Sequence, residues 1–148
     1  MREMSDSIGE FALINWIRQQ SRSSSDVLIG PGDDTAAYQW PGQGQLLITT
    51  DMLLEGSCFL REAGGRRIGR KAMAVNLSDI AAMAGRPLLA VVSVGLPREG
   101  GRELGESLHL GLCEMADELE TIVIGGDTNT WDGPLSISVT VVGVSTGS

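Results

Sequence analysis

The sequence predicts an α+β domain: a four-stranded mixed sheet with helices on one face. Two amphipathic helical runs alternate with apolar runs that end at glycine, proline or aspartate, the pattern of one sheet backed by one helix layer. Residues 90–96 and 137–144 point to a second sheet face as apolar as the first. The face without helices therefore needs a cover, and the natural one is a second copy, dimerising through the sheet. A length of 148 residues with 42% hydrophobic content is enough for one such core.

The elements follow in order. Residues 8–20 read as a helix with an apolar stripe of Phe11, Leu13, Ile14 and Ile17, Trp16 at its edge, and Ser5 or Asp6 as its cap. A serine-rich loop leads to a short strand at 27–29 and then to Gly30-Pro31-Gly32-Asp33-Asp34-Thr35, a glycine-bounded acidic turn. Residues 45–51 are β-prone and end at Asp51. After Gly64-Gly65 comes a helix over 66–84 with almost no polar face, expected to be buried nearly all round. Pro87 precedes the strand 88–96, which Pro97 and Gly100-Gly101 close. A second long helix spans 102–120, with Leu104, Leu108, Leu112, Met115, Ala116 and Leu119 inward. A short strand at 121–124 stops at Gly125-Gly126-Asp127, and 135–144 is the last strand. His109, the only histidine, reads as a surface or boundary residue, and Cys113 as core packing.

Composition excludes several classes. A net charge of −8 gives no basic footprint for nucleic acid. No run approaches the ~20 apolar residues of a membrane span, and the polar, acidic start is no signal peptide. Two cysteines, Cys58 and Cys113, make neither a disulfide framework nor a spaced metal motif, so a reduced cytoplasmic protein is expected.

The chemistry lies in carboxylates. Asp79 sits in the most apolar helix, with Asn76 one turn before it on the same face. Buried there, it needs a cation, a helix N-terminus or a metal ion. Lys71 is two turns away on roughly the same face and Arg70 points elsewhere, so a metal is the first choice. Asp33 and Asp34 in the glycine turn, Asp51 at a strand end and Asp127 after two glycines share one kind of setting, because strand ends gather on one side of an α/β sheet. Carboxylates that meet this way repel without cations, and an all-oxygen donor set selects Mg²⁺ with substrate phosphates. Gly125 and Gly126 let backbone N–H groups approach a phosphate. There is no Walker-type glycine loop. Phosphoryl transfer suits this inventory, with Asp51, Asp79 and Asp127 as candidate catalytic carboxylates. Singly, Asp33 and Asp34 are as well explained as turn residues and Asp51 as a strand-end cap, and Asp127 fits an ordinary turn; the conjunction carries the reading.

The motifs Gly30-Pro31-Gly32-Asp33-Asp34-Thr35-Ala36, Ile48-Thr49-Thr50-Asp51, the run from Val75-Asn76-Leu77-Ser78-Asp79 to Ala84, and Ile124-Gly125-Gly126-Asp127-Thr128 occur in one characteristic order. In this the chain resembles the N-terminal domain of the thiamine-monophosphate kinases, within the aminoimidazole ribonucleotide synthase-like superfamily, over about 9–144. The resemblance implies transfer of the γ-phosphoryl of ATP to thiamine phosphate, several Mg²⁺ ions, and a homodimer whose sheets close a barrel. It implies metal ligation at Asp34, Thr49, Thr50, Asp51, Asp79 and Asp127, with Asp33 in the same turn, and nucleotide contact at Gly126 and Asp127, with Gly125 beside them. It also implies a histidine on the acceptor at the position of Cys58, where a thiol brings no charge. The whole chain, 1–148, is then one ATP- and Mg²⁺-binding domain, with the family's C-terminal domain absent and weak turnover expected from it alone. Two other readings stand beside this one: a related ATP-using synthase with another substrate, and a non-catalytic dimeric nucleotide-binding module.

Overall fold

The structure, a computed structural model, describes residues 2–33, 35–40, 42 and 44–146, with the backbone alone for 2–8 and 10. Helix α1 spans Arg2–Gln20. Strands β1 (Val27–Ile29) and β2 (Ala37–Tyr38) form a small antiparallel ribbon around the acidic turn. Then come β3 (Leu46–Leu54), a 3₁₀ turn (Arg61–Ala63), α2 (Gly65–Ala82), β4 (Gly85–Pro97), α3 (Gly101–Glu118), β5 (Ile122–Trp131) and β6 (Ser136–Ser145).

The main sheet has the order β3-β6-β4-β5, with only the β4–β5 pair parallel. It is therefore the expected four-stranded mixed sheet. Helix α3 is the crossover between the parallel strands, which cannot be joined by a tight turn. Helices α2 and α3 lie on one face over Ile137, Val139 and Val141 of β6 and Ala90 and Val92 of β4, all buried with Ile68, Met73, Leu108 and Leu112. The two helices approach closely: a Cβ on Gly111 would collide with the Arg66 carbonyl oxygen. Outside this contact Arg66 pairs with Glu114, and Arg70 reaches Glu118 at 2.6 Å.

Several sequence expectations shift. Helix α1 begins six residues earlier than expected, so Ser5 and Asp6 lie inside it, and Phe11, placed on its apolar stripe, is exposed while Leu13 is buried. The helix expected to be buried all round has an outer side: Ser78, Asp79, Ala81 and Ala82 are exposed and Asn76 is buried. One helix layer leaves every helix a solvent side, and alanine is indifferent to which side it occupies. Residues 76 and 79 diverge because i and i+3 fall about 60° apart around the axis, enough to straddle the burial boundary. Leu119 is likewise exposed. His109 is buried rather than at the surface, its ring edge-on to Trp16 with centroids 5.6 Å apart.

Strand β5 runs through the glycines to Trp131 instead of stopping before them, because β4 pairs alongside it from Leu89 to Pro97. A register shift at Ala90/Val91 admits the extra residue. Gly126 has φ 152°, and a Cβ there would strike the Val92 carbonyl oxygen. The glycine is thus a requirement of the strand as well as a possible phosphate contact.

Candidate functional site

Two of the five candidate carboxylates meet. Along β3 the side chains alternate: Leu47, Thr49, Asp51 and Leu53 are sheltered, and Leu46, Ile48, Thr50, Met52 and Leu54 are exposed. Thr49 and Asp51 thereby reach Asp79 on α2, and the Thr49 hydroxyl donates to Asp79 Oδ2 at 3.0 Å. Desolvation raises the Asp51 carboxyl above the ordinary carboxylate value, and the Asp79 charge and a hydrogen bond shared with Asp79 raise it further. Two carboxylates and a hydroxyl, with no cationic side chain among these contacts, form an oxygen-only donor set whose repulsion a divalent cation relieves.

The other positions lie elsewhere. The Thr50 hydroxyl is on the opposite side of β3, donating to the Val139 carbonyl at 3.1 Å and accepting from Thr140 at 3.0 Å. Asp127 lies on the far edge strand. The row through Asp51 continues as Val139, Val92 and Gly126, and the next row runs Met52, Ser138, Ser93 and Asp127. Three strand spacings separate the edges, about 14 Å. Among the described residues no group of three or more His, Cys, Asp or Glu converges as a metal site. Asp33, Gly125, Gly126 and Asp127 instead line one cavity of about 460 Å³ between α1, α3, the acidic turn and the β5 edge. Its other walls include Ile14, Leu108 and His109. Asp34 lies outside the described residues.

Cys58 is half-buried in the loop after β3, which is held by the Cys58 N–H on the Leu54 carbonyl at 2.9 Å and the Gly56 N–H on the Phe59 carbonyl at 2.8 Å. Lys71, a possible partner for Asp79, donates instead to the Cys58 carbonyl. Sequence reasoning also missed Glu55. It takes both Arg61 Nε and Nη2, at 2.8 and 2.9 Å, and the Leu135 N–H at 2.8 Å, so its carboxyl is held below the ordinary value, chiefly by Arg61. No spacing rule joins positions 55, 61 and 135; only the fold does.

The family described as AIR synthase related protein, N-terminal domain, matches residues 32–145. The chain belongs to this family. Within the AIR synthase related proteins it is similar to the thiamine-monophosphate kinase of Rhodopirellula baltica, 41% identical over 142 residues, covering 90% of this chain and 45% of that protein. Among solved structures it is similar to the thiamine-monophosphate kinase of Stenotrophomonas maltophilia K279a, with TM-score 0.77 and 42% identity over 90% of this chain and 42% of that one. It is also similar to AaThiL complexed with AMPPCP and TMP, with TM-score 0.65 and 34% identity over 93% of this chain and 42% of that one. The chain spans less than half the length of these relatives. Among the described residues no helix is long and apolar enough to cross a membrane.

Proposed function

We propose that the protein to which this chain belongs transfers the γ-phosphoryl of ATP to thiamine phosphate, and that this domain supplies metal and nucleotide contacts for that reaction. The observation that carries the reading is the Thr49–Asp51–Asp79 cluster, whose paired carboxylates have no cationic side chain among their contacts with the described residues, in a chain similar to AaThiL complexed with AMPPCP and TMP. Mg²⁺ fits this donor set, and when bound it neutralises phosphate charge and aligns the phosphoryl group for in-line transfer. Asp51, Asp79 and Thr49 hold one part of the metal set. Asp127, with Asp33, Asp34 and Thr50, holds the rest. The Gly125 and Gly126 backbone, in the wall of the cavity, is placed for close approach by the nucleotide phosphates. Cys58 lies at the acceptor.

The separation of Asp127 from Asp51 supports a homodimer. The β3 and β5 edges are the free edges of the main sheet, and Ile48 and Met52 on β3 are 69% and 65% exposed. Closing two sheets into a barrel places the β5 edge of one copy against the β3 edge of the other, and so brings Asp127 toward the Thr49–Asp51–Asp79 cluster. Cys58, uncharged at the acceptor position, favours a second reading in which the site binds nucleotide without phosphorylating thiamine phosphate.

The test is calorimetric titration with a non-hydrolysable ATP analogue, with and without Mg²⁺, alongside light scattering for the oligomer and turnover assays with thiamine phosphate on the complete natural protein. Mg²⁺-dependent binding by a dimer, with turnover, is expected. Binding without turnover would leave the second reading, and no binding by the complete protein would overturn both.

A further inference from the structure

The cavity of about 460 Å³ between α1, α3, the acidic turn and the β5 edge has two kinds of wall. Its interior is apolar: Leu13, Leu96, Leu108 and Leu112 are buried around it, and Ile14 and Ile17 are half-buried. Its exposed rim is polar, with Asp33, Gly126 and Asp127. Among the described residues of the lining there is one arginine or lysine, Arg18 of α1. Its side chain lies across the acidic turn, since a Cβ on Gly32 would collide with Arg18 from Cδ to the guanidinium carbon.

Place, and not the lack of a partner, sets Arg18 apart. Arg67, Lys71 and Arg86 are likewise exposed and in no ion pair among the described residues, but they line no part of this cavity. His109 is in the wall, yet burial lowers its pKa and keeps it neutral at pH 7. The positive charge of the cavity is therefore that of Arg18. A ligand suited to such a space has an apolar body and an anionic end. ATP has both: a flat base for the apolar walls, and phosphates for a guanidinium and for the backbone of Gly125 and Gly126. Thiamine phosphate suits it less, because its thiazolium is a permanent cation that apolar walls and a guanidinium both disfavour.

We propose that this cavity takes the base of ATP and that Arg18 binds the ATP phosphates at its rim, beside Gly125 and Gly126. This rests on the kinase reading above. A guanidinium already packed on the turn loses little freedom on binding, and its planar fork of N–H donors suits phosphate oxygens. Its charge also offsets part of the repulsion between the phosphates and the Asp33 and Asp127 carboxylates. The rim lies at the β5 edge, which barrel closure sets beside the β3 edge of a second copy. Phosphates held at the rim and the Thr49–Asp51–Asp79 cluster of that copy then share one junction.

The experiment compares wild type, Arg18→Met, Arg18→Lys and Arg86→Met in the complete natural protein. It measures the affinity for a non-hydrolysable ATP analogue with Mg²⁺, and KM separately for ATP and for thiamine phosphate. Arg18→Met is expected to weaken analogue binding and raise the ATP KM about ten-fold, the loss of a charge-assisted contact. It should leave the acceptor KM within about two-fold and the Tm unchanged. Arg18→Lys should restore part of the loss, and Arg86→Met, which removes the same charge outside the cavity, should change neither value. Added salt should narrow the gap between wild type and Arg18→Met, because a contact at an exposed rim is screened. Unchanged analogue affinity in Arg18→Met, or an equal loss in Arg86→Met, would overturn the proposal. So would a lower Tm with parallel changes in both KM values and no rescue by lysine, the signature of an arginine that only props the turn. If wild type binds the analogue without phosphorylating thiamine phosphate, the kinase reading fails and the affinities alone decide on Arg18. If wild type binds no analogue, both fail.

Discussion

At the scale of single residues, Asp51 and Asp79 carry the proposed metal chemistry and a local repulsion. Desolvation raises the Asp51 carboxyl above its ordinary value, and the repulsion between the two carboxylates raises it further. Replacing Asp79 by Asn removes a charge while keeping an acceptor for the Thr49 hydroxyl. Asp79→Asn should therefore leave the metal-free domain as stable as wild type or more so, and should abolish Mg²⁺-dependent nucleotide binding; calorimetry and thermal melts read the two effects. Unchanged Mg²⁺-nucleotide affinity would contradict the metal assignment. Glu55 shows the opposite case. Its folded pKa lies below the ordinary value of 4.5, so its contribution to stability is present above that pH and is lost as pH falls through the folded value. Glu55→Gln should lower the Tm at neutral pH, with the difference from wild type shrinking in acid, as pH-dependent melts will show.

At the scale of elements, close approach explains glycines that a reading for flexibility or phosphate binding would misplace. Gly126 lies against the Val92 carbonyl inside a continuous strand. Gly126→Ala should cost about 1–3 kcal/mol, the usual range for forced overpacking, and lower the urea midpoint even without nucleotide. An unchanged midpoint would mean that β4 and β5 are less tightly paired than described. The elements themselves were largely legible in the sequence. The strands at 27–29, 88–96 and 135–144 and the helices at 66–84 and 102–120 appear within a few residues of their expected bounds, because alternation and helical periodicity are local properties. The extension of β5 was not legible, because Gly125 and Gly126 have low β propensity and only the neighbouring β4 keeps them in the ladder.

At the scale of the whole molecule, the burial of His109 against α1 ties stability to pH. Its ring faces Trp16 across the α1–α3 contact, and Cys113 Sγ lies 3.4 Å from Nε2 on its own helix. Neither supplies a counter-charge, since burial pushes the Cys113 thiol up to about 11 and keeps it neutral. Burial lowers the His109 pKa below its ordinary 6.5, so the folded state binds fewer protons than the unfolded one. Stability should fall as pH drops below about 6.5 toward the folded value. His109→Gln should flatten that part of the Tm–pH curve, and a wild-type curve already flat there would remove the effect. The exposure of this position was misjudged from sequence because a histidine between two leucines fits either side of a helix boundary.

The sequence by itself determined the fold class, the main elements and the oxygen-rich character of the site, since these depend on side-chain periodicity and on residue types within short motifs. It also marked Asp51 and Asp79, which the β3–α2 packing brings together. Only the tertiary structure decided which of the other carboxylates join them. Strand β6, last in the chain, inserts between β3 and β4, and the parallel crossover through α3 sends β5 to the far edge. Strand order arises from long-range pairing and crossover geometry, which no local pattern encodes. That order sets Asp127 and Asp33 at one edge of the sheet and Asp51 with Asp79 at the other.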